Sequence, residues 1–142
     1  VTGNFGIVEA PMEVGEVIIA QNTSTIKSSS TTPKSAIPAS FRPRVHKSGS
    51  YRISFALHAN WPNVQASARI YKNGAPHGRL REVISEWPVT FTEDLYFNAG
   101  DIIDLYMWVS DPNRDAVVPA NTLQIKGIIG KPIETSRPYE YI

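Results

Sequence analysis

The sequence predicts an all-β fold, a sandwich or a barrel, on three observations. Apolar and polar residues alternate along several stretches, the period of a strand that lays one face on a core. No stretch of about ten residues keeps helical i, i+3, i+4, i+7 spacing without meeting a Gly or a Pro. Eleven prolines and nine glycines are spread along the 142 residues. Turn signals recur roughly every ten residues, the rhythm of short strands joined by hairpins.

The elements follow in order. Residues 14–20 form a candidate strand. Residues 22–35, mostly Ser and Thr with Lys27, Pro33 and Lys34, are too polar to pack and read as a long exposed loop. Residues 39–45 are a weak strand that would line up Arg42, Arg44 and His46 on one face. The clearest alternation lies in residues 51–59, with Tyr51, Ile53, Phe55 and Leu57 on one side and Arg52, Ser54, Ala56 and His58 on the other. Residues 64–71 alternate likewise and run into Asn73-Gly74, a strong hairpin signal. Residues 80–85, 89–97 and 123–129 complete the strands, and Gly130 and Pro132 bound the last. One domain results, with residues 1–38 as an N-terminal strand and loop of that domain, 39–130 as its core, and 131–142 as an extended arm.

Residues 102–109 differ from the rest because both sides are apolar. Ile103, Leu105, Met107 and Val109 would face the core, leaving Ile102, Asp104, Tyr106 and Trp108 on the other side. A face carrying Tyr and Trp this close together is covered, either by its own chain or by a partner. Ile102, Tyr106 and Trp108 are therefore expected in a subunit interface, joined by His58 from the polar side of 51–59. Each buried aromatic removes about 150–250 Å² from water, several kcal/mol for the pair at about 25 cal/mol/Å².

Composition excludes several classes. The chain has no Cys, so disulfide scaffolds, Cys-ligated metals and thiol catalysis are absent. A net charge of +1 supplies no field for holding nucleic acid or an anionic membrane surface. No apolar run approaches the roughly 20 residues of a membrane span. The chain opens on Val1 rather than Met, as a fragment or processed chain would.

The order of motifs resembles the C1q/TNF-like jelly roll. Phe41-Arg42-Pro43 precedes Gly49-Ser50-Tyr51-Arg52-Ile53-Ser54-Phe55. Tyr71-Lys72-Asn73-Gly74 follows, then Leu95-Tyr96-Phe97-Asn98-Ala99-Gly100-Asp101, and finally Leu123-Gln124-Ile125-Lys126-Gly127. The resemblance implies a two-sheet antiparallel jelly-roll sandwich that assembles as a homotrimer and works by binding rather than catalysis. Related trimeric folds recur in bacteriophage appendages and capsid fittings. The expected setting is thus a virion, as capsid decoration or a tail-fibre receptor-binding tip, with a secreted extracellular domain as the alternative. Expected partners are other virion proteins or a host-surface receptor, glycans included.

Candidate chemistry is sparse. His46, His58 and His77 have no metal-ligand spacing, and no cofactor or metal is expected. Gly49-Ser50 lacks the second glycine of a nucleophile elbow. Glu93-Asp94 and Asp101–Asp104 invite a glycosidase reading, weighed against turn and bulge roles. The loop Asp111-Pro112-Asn113-Arg114-Asp115 is oxygen-rich but lacks calcium-loop spacing. Arg79 and Arg81, like Arg42 and Arg44, could grip an anion or simply guard a strand edge. Trp61 with Asn63, Trp87 and Arg114 are the candidate ligand-binding residues, because loop aromatics stack on sugars or partner side chains. The sequence therefore favours a non-enzymatic structural or adhesive module. A lectin-like module using Trp61 or Trp87 is the first alternative, and a small carboxylate-dependent glycoside hydrolase the second.

Overall fold

The protein's structure, a computed structural model, describes residues 5–7 and 15–129. In chain order its strands are β1 (Phe5–Ile7), β2 (Gly15–Asn22), β3 (Ile26–Ser28) and β4 (Lys34–Ser35), then a 3-10 turn at Ala39–Phe41. They continue with β5 (Gly49–Ala59), β6 (Ala66–Lys72), β7 (Ala75–Pro76), β8 (Arg81–Val83) and β9 (Val89–Phe97). The series ends with β10 (Ile103–Val109), β11 (Ala116–Val118) and β12 (Gln124–Ile129).

The first sheet runs β1-β2-β12-β5-β11-β3, with β9 also paired to β5, and the second runs β4-β10-β6-β7, with β8 also paired to β6. All pairings are antiparallel. The chain passes repeatedly from one sheet to the other, as at β4 to β5, β5 to β6, β9 to β10 and β10 to β11. This architecture is a β jelly-roll sandwich.

The alternation of the sequence becomes the division between core and surface. Tyr51, Ile53, Phe55, Leu57 and Ala59 of β5 join Ile103, Leu105, Met107 and Val109 of β10 in one apolar core. Leu105, Met107 and Val109 are 0% exposed. The expected hairpin forms as well, since Asn73 and Gly74 both take positive φ (52° and 82°) where β6 turns into β7.

Two expectations are corrected. Residues 22–35 are not one exposed loop but include β3 and β4, anchored by the buried side chains of Asn22 and Ile26. Hydroxyls and amides supply what apolar bulk does not. Asn22 Nδ2 donates to the carbonyls of Ser24 (2.9 Å) and Pro119 (3.0 Å), and its Oδ1 accepts the Leu123 N–H (2.9 Å). Residues 39–45 are not a strand: the 3-10 turn is followed by a single bridge between Arg44 and Ile102. Arg42 turns to the carboxylate of Asp104 instead of lining a basic stripe. The expected C-terminal arm, 131–142, lies outside the described residues.

Candidate functional site

Antiparallel pairing decides which loops meet. β5 ends where β9 begins, with Leu57 opposite Val89, and β10 ends where β6 begins, with Val109 opposite Ala66. Loops 60–65, 84–88 and 110–115 therefore emerge at one end of the sandwich. Backbone bonds lock them together. The Ala59 N–H donates to the Ser85 carbonyl (2.7 Å), the Asn60 N–H to Asp115 (3.1 Å) and the Ser110 N–H to Gln65 (2.9 Å). Asn60 and Asp115 reinforce the latch through their side chains, with Asn60 Nδ2 donating to Asp115 Oδ2 (3.3 Å) and the Asp115 N–H to Asn60 Oδ1 (2.8 Å). Nothing in the sequence pattern singles out this pair, which lies 55 residues apart.

All four candidate ligand residues fall at this end. The Arg114 guanidinium lies 3.6 Å from the centroid of the Trp61 ring, and Trp61 remains 48% exposed. Asn63 takes φ 59°, the left-handed conformation that Asn tolerates, so its first role is to turn the chain after Pro62. Trp87 is 80% exposed. Its backbone is fixed by Ser85, whose hydroxyl accepts the Trp87 N–H (2.9 Å) and donates to the Trp87 carbonyl (2.8 Å). Ile84 and Val89, on either side of that loop, are also exposed. The 111–115 loop is built by turn chemistry, since the Asn113 N–H donates to Asp111 Oδ1 (2.9 Å) and the Arg114 N–H to the Asp111 carbonyl (3.0 Å). Among the described residues no group of His, Asp or Glu is placed to hold a metal ion.

The four candidate interface residues do not share a face. Tyr106 and Trp108 lie on the outer surface of the second sheet, with half-buried Ile102 just before its strand. His58 lies on the outer surface of the first sheet, opposite Val117, and its Nδ1–H donates to the Ala59 carbonyl (2.8 Å). Tyr106 has a partner within its own chain, stacked on Tyr71 at 3.6 Å between centroids and 5° between planes. Asp104 on the same surface is buried beneath Arg42 (3.1 Å) and the Ser35 hydroxyl (2.7 Å). The apolar character of this face thus has one cause inside a single chain.

The carboxylates of Glu93, Asp94, Asp101 and Asp104 do not pair across a cleft. Glu93 and Asp94 point to opposite sides of β9. Glu93 accepts the Arg79 N–H (3.0 and 3.1 Å) and faces Arg81 (3.7 Å), while Asp94 pairs with Arg52 (2.7 Å). The hydrogen bond from Arg52 holds the Asp94 carboxyl below its ordinary range. Asp101 shapes the turn at Gly100 by accepting the Asn98 N–H (2.8 Å) and Asn73 Nδ2 (2.9 Å), which lower its pKa, the Asn73 bond most. Desolvation pushes the Asp104 carboxyl up, opposed by Ser35 and Arg42.

No protein-family model and no curated protein matches the sequence. Solved structures match in fold. One is the carbohydrate-binding module CBM6cm-2 from Cellvibrio mixtus lichenase 5A in complex with cellotriose. Its TM-score is 0.41 at 14% identity, over 72% of this chain and 95% of that one. Another is Eiger TNF from S. frugiperda, with a TM-score of 0.43 at 10% identity, over 84% of this chain and 92% of that one. At such identities the likeness is one of fold alone.

Proposed function

We propose that this chain is a non-enzymatic adhesive module that binds saccharide at the loop end through Trp61 and Trp87. The observation that carries the reading is the placement of two exposed indoles on three hydrogen-bonded loops, one of them braced on one face by Arg114. Leaving two Trp side chains in water forgoes a large burial term unless a ligand covers them. A pyranose ring offers an apolar C–H face to an indole and a rim of hydroxyls to the amides and carboxylates of Asn60, Asn63, Asp111 and Asp115. A glycan array should show saturable capture that is lost in both Trp61→Ala and Trp87→Ala, with thermal unfolding unchanged. Capture that survives both substitutions, or no capture of any glycan, would overturn it.

The homotrimer and the virion setting belong to the same proposal and rest on the family resemblance. Half-exposed Trp108, opposite Ser67 on the second sheet, is the residue that supports a contact there. Light scattering should give three times the chain mass of 15.7 kDa, and Trp108→Asp should return the monomer. A wild-type monomer at micromolar concentration would refute the assembly without touching the saccharide reading.

A further inference from the structure

We propose that the saccharide taken by the loop end carries a carboxylate and that Arg114 is the residue that receives it. This rests on the saccharide reading above and adds the charge of the ligand. Four other arginines among the described residues meet an oxygen acceptor. Arg42 meets Asp104, Arg52 meets Asp94, Arg69 donates to the Gly78 carbonyl (2.6 Å), and Arg81 faces Glu93. The Arg114 guanidinium meets an aromatic ring and, among the described residues, no hydrogen-bond acceptor. Its Nε, like that of Arg81, is buried without a hydrogen-bond partner. Neither carboxylate of its own loop forms an ion pair with it: Asp111 Oδ1 accepts the Asn113 N–H and Asp115 Oδ2 accepts Asn60 Nδ2, and both keep their charge.

An arginine in this state is organised for an anion. Stacking on Trp61 fixes the plane of the fork, so less side-chain freedom remains to be lost when an acceptor arrives. The planar fork matches a carboxylate with two parallel bonds, which are stronger than neutral hydrogen bonds. The same ring that holds the guanidinium is the surface proposed for the sugar. The guanidinium covers one face of that ring, so a pyranose takes the other, and an acid substituent projecting past the edge of the indole meets Arg114. Asp111 and Asp115 add selectivity, since their charge resists heavily sulfated chains more than a ligand with one carboxylate per sugar.

The test compares binding of matched probes by calorimetry: oligogalacturonate against its carboxyl-reduced counterpart, sialyllactose against lactose, and a sulfated oligosaccharide. Wild type should bind the acid member of at least one pair about ten-fold or more tightly than its neutral partner, the worth of one charge-assisted bidentate pair. Arg114→Gln should bring that ratio to about one, whatever both members lose together when the contact with Trp61 goes, and Arg114→Lys should restore only part of it. Trp61→Ala should lose both members. Equal binding of acid and neutral probes by wild type, a preference retained in Arg114→Gln, or tightest binding of the sulfated chain would overturn the assignment while leaving the saccharide reading intact. Binding of no probe at all would count against both.

Discussion

Asp104 shows what a single buried charge demands of its neighbours. The residue is 4% exposed, and its carboxylate relies on Arg42 and the Ser35 hydroxyl. Arg42→Ala should cost about 3 kcal/mol near neutral pH, because it leaves that charge buried with one partner gone. The pH dependence follows from the upward shift of Asp104. A carboxyl whose folded pKa exceeds its unfolded value holds its proton more tightly in the native state. Its penalty is absent below the unfolded pKa and grows as pH rises through the folded one. The loss in Arg42→Ala should therefore shrink when urea unfolding is repeated near pH 4. Tyr51 makes the alkaline counterpart. Its hydroxyl donates to the Lys47 carbonyl, and burial pushes its pKa up to about 12 from 10.0. The native state keeps the phenol proton after the unfolded chain has lost it, so stability falls as pH rises from 10.0 towards 12. Tyr51→Phe removes that slope, and the stability gap between wild type and variant should narrow over this interval.

At the scale of elements, the close packing of the 76–80 segment against the sheets gives a test that the sequence alone could not suggest. A Cβ on Gly78 would lie 2.7 Å from Glu93 Oε1 and 3.1 Å from Ile70 Cβ. Glu93 cannot swing away freely, because it accepts the Arg79 N–H with both oxygens. Gly78→Ala should destabilise by about 1–3 kcal/mol in chemical denaturation, as overpacking does. The strands themselves were legible where burial is one-sided. The alternation from Tyr51 to Leu57 and the Asn73-Gly74 turn read directly, because the period of a strand and the φ demand of a tight hairpin are local properties. Residues 22–35 were not legible, because β3 and β4 are secured by Asn22, Ser28 and Ser35 through hydrogen bonds rather than by an apolar stripe. Trp61, Asn63, Trp87 and Arg114 could each be named from loop chemistry. That Arg114 braces Trp61 could not, since a contact across 53 positions leaves no period. The same holds for Tyr71 on Tyr106, which supplied an intrachain cover for a face read as intermolecular.

On the scale of the whole molecule, the two outer faces constrain any assembly. In a closed ring of three, each subunit meets its two neighbours along directions about 60° apart. His58 and the Tyr106–Trp108 pair lie on opposite outer faces, so joining one to the other between copies would extend a line rather than close a ring. A trimer would use one of these faces against a different surface, leaving the loop end free for a ligand. The three tryptophans report on this division directly, because Trp61 and Trp87 lie at the loop end and Trp108 lies on the second sheet. The most direct measurement is an NMR titration of their three indole N–H signals with the tightest-binding saccharide. The signals of Trp61 and Trp87 should move together and saturate at one affinity while that of Trp108 stays still. A shift confined to Trp108, or no shift at Trp61, would contradict the account.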